Sequence, residues 1–538
     1  MSGPGAVEGD EPERSAAPRR RRVGKILVAA SVATALVFGG CTALPGLLRG
    51  GEEVALTHEP GELPPLPDGT LAGFQAQQPD WNECDVEMQC ADVYAPVDWE
   101  DPAAGALTLR LVKREASGDA KLGTLFVNPG GPGASGADYI AAAIDSAIPA
   151  EIREAYDVIG WDPRGVGASS PVSCGGAAEM DDYLFGVDDG LGALEAGSDA
   201  WIDAALAEAA AFGERCAAET GERIGYVDTM STVRDLDMLR AIVGDDRLHY
   251  LGFSYGTYLG ARYADAYPER VGRLVLDGAM DPTTSLADVV REQTLGFEAA
   301  LRVYVQACLR RDDCPLSGGV DEAMASIGAM LDGVDAAPLT GSDGRSVAAS
   351  TLLTAIIAPL YTQSNWGYLD DLFASVPEGD ADVALALADF YYDREGGAYR
   401  SNSTEAFSAI NCLDYPRDFD RDRMRAEAAE LDRIAPTIGR FQGFGDISCE
   451  AWPVPGAQER RAVTAAGAAP ILVVGTTGDP ATPYRWAESL AEQLDSGVLV
   501  SYRGEGHTAY GESSCVDETV DAYLLTGAVP ADDPMCTA

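Results

Sequence analysis

An α/β fold, with a mostly parallel central sheet and an all-helical insertion late in the chain, is predicted by three features of this sequence. Short apolar runs of strand length alternate with helical stretches between residues 107 and 276. The alternation returns between 471 and 502. Between these regions, residues 284–450 carry helical periodicity and no clear strand. Strands separated by helices pair in parallel, because a parallel neighbour needs a crossover long enough to hold a helix.

Residues 107–112 alternate apolar and polar side chains, as a half-buried strand does. The runs at 124–128, 158–161, 250–253 and 274–276 are apolar and end in Gly or polar turns. That is the pattern of strands covered on both faces. Residues 471–474 and 498–502 repeat it near the C-terminus. Helices are predicted at 201–218, 232–243 and 257–267, and within the insertion at 295–309, 320–331, 350–357 and 381–392. An all-helical insertion between two sheet strands predicts a cap over a site. The chain then divides into a leader (1–45), a Pro/Gly-rich spacer (46–80), a first core part (81–283), a helical cap (284–450) and a C-terminal core part (451–538).

The chain has 538 residues, 46% of them hydrophobic, so it can bury a large core. With 86 acidic against 38 basic residues its formal net charge is −48. Lys is nearly absent, and a phosphate backbone is bound through Lys and Arg, so a nucleic-acid partner is excluded. A solvated acidic surface is the plain reading of the charge.

The N-terminus reads as an export signal. Arg19 to Arg22 and Lys25 precede an uncharged apolar run over 26–38, which ends in Gly39-Gly40-Cys41. This is similar to a lipoprotein box, in which Cys41 is acylated. Ordinary secretion is the second outcome. An uncleaved anchor is the third, although Pro45 and several Gly make a poor membrane helix. All three place the folded part outside the cytoplasm, with membrane contact only through this end. Of the 11 Cys, setting Cys41 aside leaves an even ten, scattered without metal-site spacing. Disulfides in an oxidising compartment follow. Proximity in sequence suggests Cys84–Cys90, Cys174–Cys216, Cys308–Cys314, Cys412–Cys449 and Cys515–Cys536.

The chemistry sits at a strand–turn–helix. Gly252-Phe253-Ser254-Tyr255-Gly256 is a G-x-S-x-G that follows one apolar run and precedes a helical one. The flanking glycines permit the sharp turn that presents the Ser254 hydroxyl. A serine nucleophile needs a base, and only three His are present. His58 lies in the spacer and His249 inside the strand, so His507, in the loop after 498–502, is the candidate base. The acid belongs after another strand. Asp479 follows 471–474 and would accept the Nδ1–H of His507, with Asp277 as the alternative. Acyl transfer also needs N–H donors for the oxyanion: Tyr255, directly after the nucleophile, and Gly131 in the NPGGPG loop (128–133), with Gly130 as the other choice. That loop lacks the Lys-Ser/Thr of a phosphate-binding loop. No metal and no cofactor is expected, since three His and paired Cys leave no ligand set.

These residues carry a family resemblance. NPGGPG, WDPRGVGAS (161–169), GFSYGTYLGARYADAYPERVGRLVLDGAMDP (252–282), AINCLDYP (409–416), GDPATP (478–483) and GEGH (504–507) together resemble the actinobacterial secreted tripeptidyl aminopeptidases. These are α/β-hydrolases related to prolyl aminopeptidases. The resemblance runs from about residue 81 to the C-terminus. It implies an α/β-hydrolase fold, a Ser254–Asp479–His507 triad, a helical cap and removal of short peptides from free N-termini. One departure stands out: prolyl aminopeptidases carry His-Gly-Gly-Pro-Gly where this chain has Pro129-Gly130-Gly131-Pro132-Gly133. An enzyme of this kind needs a cap carboxylate for the substrate ammonium. Asp414 is the candidate; Asp370, Asp371, Glu378 and Asp380 are carboxylates that sequence cannot rank. The expectation is an exported serine exopeptidase acting on peptides. A carboxylesterase or lipase, and a non-catalytic surface lipoprotein, are the rival readings.

Overall fold

The computed structural model describes residues 61–186, 191, 194–456 and 460–537. The leader, Cys41 and His58 lie outside the described residues. Seven strands precede the cap: β1 (Asn82–Asp85), β2 (Met88–Pro96), β3 (Ala106–Arg114), β4 (Gly123–Asn128), β5 (Tyr156–Trp161), β6 (Leu248–Phe253) and β7 (Val271–Asp277). Within the cap lie two hairpins of two-residue strands, β8 (Leu339–Thr340) with β9 (Ser346–Val347) and β10 (Arg394–Glu395) with β11 (Ala398–Tyr399). After it come β12 (Ile471–Gly478), β13 (Gly497–Glu505) and β14 (Met535–Thr537).

The main sheet has ten strands in the order β1-β2-β3-β5-β4-β6-β7-β12-β13-β14. From β5 to β14 every pairing is parallel, and β1, β2 and β3 join antiparallel at one edge. Successive side chains of a strand face opposite ways, and both faces here are apolar. Leu125, Val127, Leu251, Val275, Leu472 and Val474 pack beneath Ile140, Ile144 and Val520. Phe126, Tyr250, Leu274, Leu276, Ile471 and Val473 pack against Leu236, Leu239, Leu259 and Leu490 on the other face. Each such side chain, fully buried, contributes roughly 1.5–3 kcal/mol. The result is an α/β-hydrolase architecture, with helices on both faces of a mostly parallel sheet.

The insertion forms its own apolar cluster, from Phe297 and Leu301 through Leu353 and Ile357 to Leu385 and Ala388. Its helices run from Leu286–Cys308 to the short Asp446–Glu450, between β7 and β12. Two cap helices, Ser403–Asp414 and Arg421–Ile434, and the edge strands β1 and β2 carried no clear sequence pattern. The described end of the expected spacer belongs to the fold. Phe74, on the helix Leu71–Gln75, is 1% exposed within the core, and Gln77 holds both the N–H (2.8 Å) and the C=O (2.7 Å) of Tyr94. Five disulfides join Cys84–Cys90, Cys174–Cys216, Cys308–Cys314, Cys412–Cys449 and Cys515–Cys536.

The WDPRG segment after β5 is structural. Arg164 and Asp235 form a fully buried pair at 2.6 Å, and Arg164 also donates to the carbonyls of Pro96, Val97 and Tyr226. Removing one partner of such a pair costs about 3–5 kcal/mol. Asp162 accepts from the Ser135 hydroxyl and the Ala137 and Ala168 N–H groups, tying the β5 loop to the helix Gly136–Ala147.

Candidate active site

Ser254 leaves β6 with φ 54° and ψ −123°, a left-handed turn before the helix Tyr255–Ala266. A non-glycine residue there is strained by roughly 1–3 kcal/mol, and the neighbouring glycines make the turn possible. A Cβ at Gly252 would stand 2.6 Å from the Gly256 carbonyl, and one at Gly256 would stand 2.7 Å from Asn128 Oδ1. Neither position tolerates a side chain without moving backbone. The turn is pinned by the Ser254 N–H to the Asp277 carbonyl (2.9 Å) and by the Thr257 N–H to the Ser254 carbonyl (2.8 Å).

His507 and Asp479 meet at the same edge of the sheet. His507 Nδ1 lies 2.9 Å from each carboxylate oxygen of Asp479, and both residues are buried. Asp479 also accepts from the N–H groups of Ala481 (2.9 Å), Thr482 (2.8 Å) and Thr508 (3.2 Å), and from the Thr482 hydroxyl (2.9 Å). This fully engaged carboxylate cannot rotate without breaking several bonds, so it fixes the imidazole plane and the Nδ1–H tautomer. Gly278, next after the residue that holds the Ser254 N–H, would meet His507 Cε1 at 3.1 Å if it carried a Cβ. From the cap, the Tyr361 carbonyl accepts the His507 N–H (2.8 Å), and its ring packs edge-on against the imidazole at 5.6 Å.

Asp277, the alternative acid, stands elsewhere. Its carboxylate accepts the N–H groups of Ala509 (3.0 Å) and Tyr510 (2.8 Å), and so anchors the loop that follows His507. Burial pushes its carboxyl up to about 6. His249 is structural: its Nδ1 accepts the Arg273 N–H at 3.1 Å, its ring packs on Tyr156, and burial lowers it to about 4.

The glycine-rich loop after β4 lies against the serine. A Cβ on Gly130 would meet the Phe253 carbonyl at 2.6 Å, Ser254 Cβ at 3.0 Å and Tyr255 N at 3.3 Å. Gly130 gives its own N–H to Asn128 Oδ1 at 3.0 Å, so of the two expected donors Gly131 is the candidate. Among the described residues no protein acceptor takes the N–H of Gly131 or of Tyr255. The Tyr255 N–H is an orphan of the first helical turn, where a developing anion is favoured. Together these groups can carry out nucleophilic acyl transfer: a presented hydroxyl, an oriented base and two donors for an oxyanion.

Asp414 is held within the fold by hydrogen bonds. Both its oxygens accept from Thr229, from the N–H at 2.9 Å and from the hydroxyl at 2.5 Å, and the same hydroxyl accepts from the Tyr255 phenol at 2.5 Å. It is 2% exposed, and burial pushes it up to about 7. The expectation that it receives a substrate ammonium gives way to a scaffold contact between the cap and the residue after the nucleophile. Sequence reasoning missed Thr482, Thr508 and Tyr361; Thr482 belongs to the GDPATP segment, Thr508 directly follows GEGH, and Tyr361 carries no motif.

Comparison with known proteins bears on the chain as a whole. The family model described as TAP-like protein matches residues 435–536. Serine protease Hip1 of Mycobacterium tuberculosis (strain ATCC 25618 / H37Rv) is 34% identical over 550 residues, covering 96% of this chain and 99% of its own. Carboxylesterase B of the same strain is 33% identical over 91% of this chain and 96% of its own. Tripeptidyl aminopeptidase of Streptomyces lividans is 31% identical over 85% of this chain and 86% of its own.

Proposed function

The chain belongs to the TAP-like family of α/β-hydrolase serine enzymes, and from that premise we propose that it is an exported exopeptidase releasing short peptides from free N-termini. The observation that supports the chemistry is His507 Nδ1 held at 2.9 Å by both oxygens of Asp479, in the same fold as the strained Ser254 elbow. Ser254 Oγ attacks the scissile carbonyl while His507 Nε2 takes its proton. The Nδ1–H to Asp479 contact stabilises the imidazolium. The N–H groups of Tyr255 and Gly131 receive the oxyanion. Collapse expels the amine, which takes the proton from His507 and leaves an acyl-enzyme on Ser254. Water, deprotonated by His507, then releases the peptide acid and restores the serine.

The leader-like N-terminus and five disulfides support placement in an oxidising compartment outside the cytoplasm. Among the described residues no helix is long and apolar enough to cross a membrane. A second reading, an esterase, is favoured by the relative named carboxylesterase B, as similar as the peptidases. Hydrolysis of a tripeptidyl chromogenic amide, compared with its N-acetylated twin and with an activated ester, separates the two. Turnover of the amide only when its amine is free supports the exopeptidase. Equal turnover of the acetylated twin, or ester turnover alone, overturns it. Ser254→Ala should lower every rate on the order of 10⁴-fold or more.

A further inference from the structure

The cap meets the Asp479–His507 pair at two places. On the helix Leu286–Cys308, Gln293, Gly296 and Phe297 stand at i, i+3 and i+4 and so share one face. Gln293 donates through Nε2 to the Ala481 carbonyl at 2.7 Å. Ala481 in turn gives its N–H to Asp479 Oδ1, and its side chain is buried in the apolar cluster of the cap. Gly296 lets the helix approach the same turn: a Cβ there would overlap the Pro480 carbonyl oxygen and stand 2.9 Å from Pro480 Cα. The turn that holds the acid is therefore tied to β12 on one side and to a cap helix on the other.

The second contact falls on the histidine. Tyr361 directly follows the cap helix Ala349–Leu360, and the last carbonyls of a helix have no donor of their own. The Tyr361 carbonyl takes the His507 N–H, and a Cβ on Gly506, where φ is +106°, would stand 3.0 Å from the same oxygen. Phe297 joins the two contacts, since its ring lies 5.5 Å from that of Tyr361 inside the cap cluster. One packed unit of the cap thus holds the acid turn and the histidine loop together.

Apolar packing alone would seat a cap. Gln293 adds something that packing does not: it is 1% exposed, and among the described residues its Oε1 accepts no hydrogen bond. Burying an amide with half its capacity unmet costs stability that a leucine would not lose. The half that is met goes to the turn whose N–H groups fix the Asp479 carboxylate. Alignment of this kind matters to rate, because a misplacement of about 1 Å can cost on the order of 10²-fold.

We propose that Gln293 and Tyr361 are positioning residues of the reaction, and that the cap, by holding Ala481 and His507, keeps the Asp479–His507 hydrogen bonds aligned. Gln293 acts through Asp479, and Tyr361 through His507. This rests on the triad of the reaction proposed above and not on its substrate, so it holds equally for an amide and an ester.

The test is a double-mutant cycle on the full chain, read with a chromogenic peptidyl amide and an activated ester. Gln293→Leu, close in volume to glutamine, should lower kcat about 10-fold on both substrates with KM unchanged. In an Asp479→Asn background the same change should cost less than about twofold, because no carboxylate is left to align. Tyr361→Leu should follow the same pattern, whereas Tyr361→Phe, which keeps the ring, should stay within about twofold of the unaltered enzyme. Equal losses in both backgrounds mark a change of general packing and overturn the assignment. A rise in KM at unchanged kcat, or a Gln293→Leu enzyme at full rate, overturns it as well. If Gln293→Leu does not fold, the two Tyr361 variants decide by the same criteria. Should Asp479→Asn itself keep the full rate, the triad fails and this assignment with it; every other outcome leaves the triad standing.

Discussion

The edge of the sheet and the cap use carboxylates in opposite ways. At the sheet edge Asp479 accepts from Ala481, Thr482, Thr508 and His507, and Asp277 accepts from Ala509 and Tyr510. In the cap Glu405 is buried with no side-chain partner among the described residues, and Asp414 answers only to Thr229. A saturated carboxylate holds a geometry, whereas an unsatisfied one has capacity left for a ligand. On the proposed function the core sets the reaction, and the cap sets what is presented to it. Core substitutions should depress all substrates together, while cap substitutions beyond Gln293 and Tyr361 should discriminate among them.

The largest effect expected is that of Asp479→Asn. An amide cannot accept Nδ1–H and support the imidazolium as a carboxylate does, so kcat should fall about 10⁴-fold. The loss should be equal for amide and ester. A loss below tenfold would move the acid to Asp277 and undo the division drawn above. Gly130→Ala comes next. Its Cβ would press on the Phe253 carbonyl and Ser254, and φ is +101°. Displacement of this loop should cost about 10²–10³-fold in kcat, and a peptide boronate should bind correspondingly less tightly. Turnover at the unaltered rate would remove the loop from the oxyanion site.

Legibility in the sequence follows the same division. β4, β6, β7, β12 and β13 were readable because strands buried on both faces are continuous apolar runs, and Ser254 and His507 lie just beyond two of them. β1 and β2 were not, since they mix Cys, Asp and Tyr at an edge and are clipped by Cys84–Cys90. The helix Leu71–Gln75 hid in Pro-rich sequence because one side chain, Phe74, anchors it. Glu405 had no local mark among 86 acidic residues. Its distinction is a missing partner, which only tertiary packing reveals. Asp414 was reached through a motif, but the motif records a scaffold contact.

That contact gives the smallest effect and the finest test of the comparison. In Asp414→Asn the amide can still accept the Thr229 N–H through its oxygen, so the helix Thr229–Ile242 keeps its start. Its NH₂ must then donate to the Thr229 hydroxyl, which reverses the direction of the chain leading to the Tyr255 phenol. A kcat loss of about tenfold or less is expected, with KM unchanged, because Tyr255 N–H shifts only slightly. Stability should respond in the opposite sense to an ordinary ion pair. Burial raises Asp414 from 3.8 to about 7, so the folded chain keeps a proton that the unfolded chain has already released. Its contribution is thus fully present below pH 4 and is lost as pH rises through about 7. The unaltered protein should lose more Tm between pH 5 and pH 8 than Asp414→Asn does, by on the order of a degree or two. Thermal unfolding on the Ser254→Ala background measures this without self-digestion. A loss of activity on the scale of Asp479→Asn would instead put Asp414 inside the reaction, and the cap would then share the chemistry that the sheet edge otherwise holds alone.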